Sequence, residues 1–322
     1  MERSNSKVCP IKKARYLKAV ERLLTQTGAK TRYLRNVDAG EKAADLIFSA
    51  IDGALEKANM APADIDLVIY CGVGRGFLEP ANAYFYARAK GMHQANCFDV
   101  IDACMSWIRA AHIASLMLQS GAFKAAMIVN GEFHLGLHDT WEIRDFRALE
   151  YSFPMYTIGE AATATILLAN DRPWQFSYLS QPEFADLCTI PLPGYAHFVE
   201  KSDRIGHNGI NRFVSYGREL FREGGKYLGK VIAQSLADVT HPVWYFPHSP
   251  SKAIYEEYMP TFGVPIEKVY LKVYPEFGNV VSASIPVGLC LAEDEGVLRR
   301  GDDIALVPVS AGLVASVVQL TY

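Results

Sequence analysis

One plan of secondary structure occurs twice in this chain, and that repetition restricts the folds open to it more than any other feature. In the first half a helical repeat through Tyr16, Val20, Leu23 and Leu24 reaches a turn at Thr27-Gly28. Residues 41–59 follow as an amphipathic helix with Ala43, Ala44, Ile47, Phe48, Ile51, Ala54 and Leu55 at helical spacing. Residues 65–71 read as a buried strand, and a helix is expected from near Pro80, a good first-turn residue. A strand from Asn96, a helix from Ser106, and strands over 125–129 and 163–168 complete the half. The second half predicts a helix over 215–238, a strand over 243–246, and a helix with Ile254, Tyr255 and Tyr258. A strand over 269–273, a helix through Ser284, Val287, Gly288 and Leu291, and strands over 302–307 and 315–320 follow. Alternating strands and helices predict an α/β fold, and the repetition predicts a duplication with halves 1–170 and 171–322.

The duplication gives particular residues equivalent places. Cys104 ends a strand and opens the helix of Ser106, Ile108, Ala111, Ile113, Ala114, Leu116 and Met117. Asn279 occupies the matching junction in the second half, and the loop holding Glu79 matches the one holding His248. A thiol at a helix start faces unpaired N–H groups and the positive end of the helix, which favour thiolate. A buried structural cysteine is the other reading of such a position. Joining two α/β halves brings such loops to a crevice at the strand ends. A cysteine, a histidine and an asparagine converging there is hard to explain as packing alone.

Other chemistries are disfavoured. The net charge of −3 gives no support for nucleic-acid binding. The 6 cysteines form no CxxC pair, so neither a zinc site nor a disulfide scaffold is expected. The polar start Met1-Glu2-Arg3-Ser4-Asn5-Ser6-Lys7 lacks an apolar run behind it, and no apolar stretch reaches membrane-spanning length. A cytoplasmic protein with reduced thiols is the expectation. Gly72-Val73-Gly74-Arg75-Gly76-Phe77 departs from the dinucleotide pattern at Phe77, and Glu79 would set a carboxylate where a pyrophosphate sits. His134 and His138 flank Gly136 without a metalloprotease motif, and a surface or pocket-lining role is expected of them rather than metal binding.

The junctions carry recognisable motifs: Phe98-Asp99-Val100-Ile101-Asp102-Ala103-Cys104, Ser120-Gly121-Ala122, Gly159-Glu160-Ala161-Ala162, Pro247-His248, Gly278-Asn279-Val280-Val281-Ser282-Ala283-Ser284-Ile285-Pro286, and the tail Ser310-Ala311-Gly312-Leu313. In this order and spacing the chain resembles the β-ketoacyl-ACP synthase III branch of the thiolase-like condensing enzymes. The resemblance implies a thiolase-like duplicated α/β/α/β/α layered fold. It implies Cys104 as nucleophile, with His248 and Asn279 completing a Cys-His-Asn triad. The backbone N–H of Cys104 and one from the Ala311-Gly312 turn would form the oxyanion hole. Arg75-Gly76-Phe77-Leu78-Glu79-Pro80 resembles the loop of the olefin-biosynthesis condensing enzymes, whose glutamate acts as base in the neighbouring subunit's pocket. Glu79 takes that role by resemblance, or else is a helix-start carboxylate favoured by the dipole.

Further implications are Phe77 and Lys252 as substrate-binding residues, a homodimer, and no permanently bound cofactor. Acyl-CoA or phosphopantetheinyl-ACP thioesters would be the substrates, with an acyl carrier protein as partner. The expected reaction is acyl-cysteine formation, then a carbon–carbon bond made by Claisen condensation with a second acyl- or malonyl-thioester, in specialised lipid or secondary metabolism. Acyl transfer to an alcohol or amine, or service as a non-catalytic partner subunit, are the alternatives. The chain departs from the family in four places. Arg22 and Gln26 stand where a tryptophan and an arginine grip the adenine of coenzyme A, and Phe277 stands where histidine is common. The tail glycines are reduced to Ser310-Ala311-Gly312, and Thr27-Gly28 is reached with no preceding strand pattern. Phe133, Trp141, Phe146, Tyr151, Phe153 and Tyr156 form an aromatic-rich insert read as an acyl pocket, a lid or a dimer-interface segment.

Overall fold

The two halves differ in how their strands pair, although both were expected to follow one plan. In the computed structural model, which describes residues 10–134, 146–169, 172–236 and 242–322, the first half opens with helices α1 (Pro10–Thr27) and α2 (Ala43–Ala58). Proline at the first position of α1 costs no helical hydrogen bond. Asn59, at φ 50°, stops α2 by donating its N–H to the carbonyls of Leu55 and Glu56. Strand β1 (Leu67–Cys71), helix α3 (Asn82–Ala89), strand β2 (Asn96–Val100), helix α4 (Ser106–Gln119) and strand β3 (Ala125–Glu132) follow. A short helix α5 (Ala148–Ser152) and strand β4 (Ala161–Leu168) complete the half. The sheet runs β2-β1-β3-β4, with β1 parallel to β2 and β3, and β4 antiparallel to β3.

The second half begins with β5 (Gln175–Ser180), a short antiparallel pair β6 (Cys188–Thr189) and β7 (Val214–Ser215), and the long helix α6 (Gly217–Ser235). Then come β8 (Trp244–Pro247), α7 (Lys252–Thr261), α8 (Val273–Phe277), α9 (Ser284–Asp294), β9 (Asp303–Val307), β10 (Val309–Ser310) and β11 (Val314–Thr321). Here β8 is parallel to β9, and β9 antiparallel to β11, the relations of β1, β3 and β4. β5 lies along the free edge of β11; among the described residues no strand flanks β4 in that way.

Layering follows from which face of each strand is apolar. Leu67, Ile69, Ala126 and Ile128 face inward onto Trp107, Ile108 and Ala111 of α4. Ile285 and Leu289 of α9 lie in the same core, which Phe246, Ile304, Leu306 and Val318 close from the second sheet. Val68, Tyr70, Met127 and Val129 point the other way, onto Ile47, Ile51 and Leu55 of α2 and Ala83 and Ala87 of α3. Tyr245, Ala305, Val307 and Val317 do the same onto α6 and α7. The strands are apolar on both faces because helices cover both, as parallel sheets require. The result is the layered α/β/α/β/α duplication that the sequence implied, with α4 and α9 in the middle.

Two expectations are corrected. The run 269–273 does not form a strand: Val269 makes one isolated bridge to Tyr245, and the chain has already turned into α8 at Val273. Its apolar residues are buried by packing, since Tyr270 and Val273 are 3% and 1% exposed. An apolar run cannot distinguish that from pairing. β5 was not anticipated, although Gln175-Phe176-Ser177-Tyr178-Leu179-Ser180 carries aromatic residues on alternate positions. No helix among the described residues is long and apolar enough to cross a membrane.

Candidate active site

The starts of the two central helices are built alike. After β2, Ala103 adopts φ 45°, an unfavourable backbone for a residue with a Cβ. Ser106, at the start of α4, donates its hydroxyl to Ala103 O at 2.7 Å and accepts the Asp102 N–H at 2.8 Å. In the second half Val281 adopts φ 49°, and Ser284 donates to Val281 O at 2.9 Å. Each left-handed residue costs about 1–3 kcal/mol. It also turns the chain sharply enough to present Cys104 in one half and Asn279 in the other toward the seam.

Glycines let the halves meet there. A Cβ on Gly159 would lie 2.2 Å from Phe277 O, and one on Gly278, at φ 73°, would lie 2.3 Å from Thr157 O. The close approach allows two backbone bonds, Asn279 N–H to Thr157 O at 2.7 Å and Gly159 N–H to Asn279 O at 3.0 Å. Asn279 Oδ1 accepts the Val281 N–H at 2.9 Å, which leaves its Nδ2 as the free donor end. His248 follows β8, is 3% exposed, and sets Nδ1 3.2 Å from Ser284 Oγ. Burial pulls its pKa down to about 4, so the imidazole is neutral at pH 7.

Cys104, His248, Asn279 and Ala311 line one cavity of about 1060 Å³. That is at the upper end for a small-molecule site, and its walls are largely apolar. Phe133, Phe146 and Phe153 of the aromatic-rich insert contribute to the wall; Trp141 and His138 lie outside the described residues. His134 is at the wall as well, its backbone N–H donating to Glu160 at 2.8 Å. Burial raises the Glu160 pKa, but bonds from His134 and Arg35 outweigh it and hold this carboxyl well below the usual range.

The helix start does not give Cys104 a low pKa. Burial pushes the thiol up, Cys188 and Glu132 push it further, and the Ser310 hydroxyl with the backbone N–H only partly offsets them. At rest Cys104 is a thiol, because desolvation inside the cavity exceeds what a helix terminus contributes.

The other expected residues lie elsewhere. Glu79 and Leu78 are exposed on the loop after β1, and Phe77, 48% exposed, stacks on Phe85 at 4.5 Å. Of these three only Leu78 reaches the cavity wall. Lys252 pairs with Glu256 at 3.2 Å, and its stem packs on Gly28. Gly312 turns the chain just beyond Ala311.

One residue of the wall escaped notice. Glu132, 2% exposed at the end of β3, accepts N–H groups from Val73 at 3.0 Å and Ser282 at 3.1 Å, and the Ser282 hydroxyl. Burial pushes its pKa up to about 7 against those bonds. It ties the loop leading to Glu79 to the turn that follows Asn279. The signal was a lone carboxylate closing an otherwise uncharged strand, Ala125-Ala126-Met127-Ile128-Val129-Asn130-Gly131-Glu132.

Residues 234–322 match the family described as 3-oxoacyl-[acyl-carrier-protein (ACP)] synthase III C terminal. The β-ketoacyl-[acyl-carrier-protein] synthase III of Clostridium perfringens is 28% identical over 305 residues, covering 91% of this chain and 88% of that one. The Symbiobacterium thermophilum protein of the same name is 28% identical over 311 residues, covering 94% and 89%. Among solved structures, OleA of Xanthomonas campestris with bound lauric acid and lauroyl-CoA superposes with a TM-score of 0.79 at 25% identity, covering 93% and 88%. The 3-oxoacyl-[acyl-carrier-protein] synthase III of Aquifex aeolicus, at 24% identity, has the same fold with a TM-score of 0.79 over 94% and 91%.

Proposed function

We propose that this chain, a β-ketoacyl-ACP synthase III-like condensing enzyme of the thiolase superfamily, takes an acyl group from a thioester onto Cys104 and joins it to a second thioester through a new carbon–carbon bond. One observation carries the reading: Cys104, His248 and Asn279, from both halves, share the wall of a single large apolar cavity.

In the first step the Cys104 thiol gives up its proton as Sγ attacks the thioester carbonyl. Neutral His248, on the same cavity wall, accepts that proton and passes it to the departing thiolate. The carbonyl oxygen takes the negative charge under the backbone N–H of Cys104 and one from the Ala311-Gly312 turn. The C–S bond of the donor then breaks, and the carrier leaves as a thiol. The apolar wall excludes water that would hydrolyse the acyl-cysteine.

In the second step the carbonyl of the incoming thioester accepts hydrogen bonds from His248 and from Asn279 Nδ2. Glu79 of the partner subunit in a homodimer removes the α-proton. The enolate carbon attacks the acyl-cysteine, and Cys104 leaves with its electron pair and is reprotonated. Exposure of the loop 76–80 in the single chain supports a role across a dimer interface rather than in its own cavity. The acyl groups travel as substrates on coenzyme A or phosphopantetheine, with no resident cofactor in these steps.

Intact-protein mass spectrometry against a panel of acyl-thioesters tests the first step, because an adduct confined to Cys104 identifies the acyl group. Product analysis tests the second. A 3-oxo product supports condensation, whereas an ester or amide would replace it by transfer to an alcohol or amine. Glu79→Gln is expected to retain Cys104 acylation and to lose product formation; unchanged product formation would remove Glu79 from the mechanism.

A further inference from the structure

Most polar groups in the wall around Cys104 are spent on the protein itself. The Thr27 hydroxyl donates to Leu23 O at 3.0 Å, that of Thr157 to Pro154 O at 2.9 Å, and that of Ser251 to Thr27 O at 3.5 Å. Cys188 is bonded to Ser215, and Glu132 accepts from Val73 and Ser282. The unpaired Thr189 hydroxyl and the unpaired N–H groups of Arg75 are covered by protein, out of a ligand's reach. Gln26, Glu150 and Arg218 lie at the exposed end of the wall. His248 and Asn279 Nδ2 are left for the reaction.

Tyr255 is left over. It stands on α7, is 3% exposed, and lines the cavity together with Cys104. Its ring belongs to the core of Leu228, Val231 and Met259 between α6 and α7, which fixes where the side chain points. Its hydroxyl has no hydrogen-bond partner among the described residues, and it is not one of the atoms sealed off by protein. Burial pushes the phenol pKa up and a negative charge on Cys104 pushes it further, so at pH 7 the group is an O–H donor close to the nucleophile. No hydrogen bond joins it to Sγ, so the acceptor it suits is one carried by the acyl group a few atoms beyond the sulfur. A buried donor facing an apolar chain stays unpaired, which is costly, whereas an oxygen on that chain satisfies it.

We propose that Tyr255 is a specificity residue whose hydroxyl donates to an oxygen, hydroxyl or oxo, on the third carbon of the acyl group held by Cys104, so that the first substrate is a 3-oxygenated acyl thioester. The third carbon is the first that the oxyanion hole does not hold in place, so its substituent is free to turn toward the wall. The proposal rests on the acyl-cysteine reading given above. A site that hydrogen-bonds a substrate oxygen rejects the analogue lacking it, by about ten-fold for one neutral bond.

The test is Tyr255→Phe, which removes one oxygen and keeps the packed ring. Cys104 acylation is followed by intact mass with octanoyl-, 3-hydroxyoctanoyl- and 3-oxooctanoyl-pantetheine. All three carry the same arm, so contact with the arm creates no difference between them. In the parent, kcat/KM is expected to favour an oxygenated donor about ten-fold over octanoyl, and in Y255F that ratio should fall to about one. A preference for only one oxygenated donor that collapses in Y255F supports the proposal and identifies the substituent. A parent without preference overturns it, as does a preference that survives in Y255F or an equal loss with all three donors. If no donor acylates the parent, the functional reading fails by itself. Calorimetric binding of octanamide, 3-hydroxyoctanamide and 3-oxooctanamide then decides: a preference for an oxygenated amide that Y255F loses supports the site, and equal binding of all three, a preference retained by Y255F, or no binding overturns it.

Discussion

Replacing Gly159 by alanine would separate the two chemical steps. The new Cβ would lie 2.2 Å from Phe277 O, where an ordinary contact is about 3.2 Å, so the two segments must part by about 1 Å. Neither side yields easily, because Phe277 O is backbone and the next residues hold Asn279 by bonds of 2.7 and 3.0 Å. Overpacking costs about 1–3 kcal/mol and each weakened backbone bond about 1 kcal/mol, which together lower stability by about 3–5 kcal/mol. A displacement near 1 Å at a reacting group costs about 100-fold in rate. That loss should fall on condensation, for which Asn279 is proposed to supply a donor, and leave Cys104 acylation within a few-fold, since the α4 elbow is untouched. Single-turnover acylation by mass spectrometry, beside steady-state product formation, measures the two separately, at a temperature where circular dichroism shows the variant folded. An equal loss in both steps, or an unimpaired condensation rate, would refute the assignment of Asn279 to the second step alone.

Other outcomes follow from the buried ionisable groups. His248, lowered to about 4 by burial, binds fewer protons folded than unfolded. Its contribution to stability is present above the unfolded value near 6.5 and is lost as pH falls through 4, roughly 3 kcal/mol in all. Glu132, raised to about 7, has the opposite sign: its contribution is present below the unfolded carboxyl pKa and is lost as pH rises through 7. Between pH 4.5 and 6.5 the two largely cancel, so urea unfolding of His248→Gln should show stability falling with pH, and of Glu132→Gln rising with it. Parallel slopes in the two variants would contradict the assignment. Because burial holds Cys104 as a thiol, its alkylation by iodoacetamide without substrate should be slow at pH 7 and still climbing above pH 9. A plateau by pH 7 would show a low-pKa thiolate instead.

The architecture was largely legible because its causes are local. The apolar runs of β1 and β3 and the helical spacing of α2 and α6 each encode their own burial, and the order of elements encodes the duplication. The elbow at Cys104 was visible as a change of period from strand to helix. The run 269–273 misled for the same reason, since tight packing and strand pairing call for the same residues. Gly159 and Gly278 stood out only as motif members; their reason, two backbones closer than a Cβ permits, involves chain segments more than a hundred residues apart.

By itself the sequence determined the α/β class, the twofold plan, and which residue types stand at the two helix starts, since each depends on neighbours within a few turns of chain. Only the tertiary structure decided the chemistry of those residues. It set half-buried Cys104 in a cavity wall where desolvation, Cys188 and Glu132 push its pKa up and outweigh the helix terminus. It set His248 against Ser284, and it put Glu132 between Val73 and Ser282. It also left Glu79 on the surface of the single chain. Periodicity records which side of an element is buried, whereas a pKa, a hydrogen-bond partner or a cavity wall depends on what the fold brings against that side.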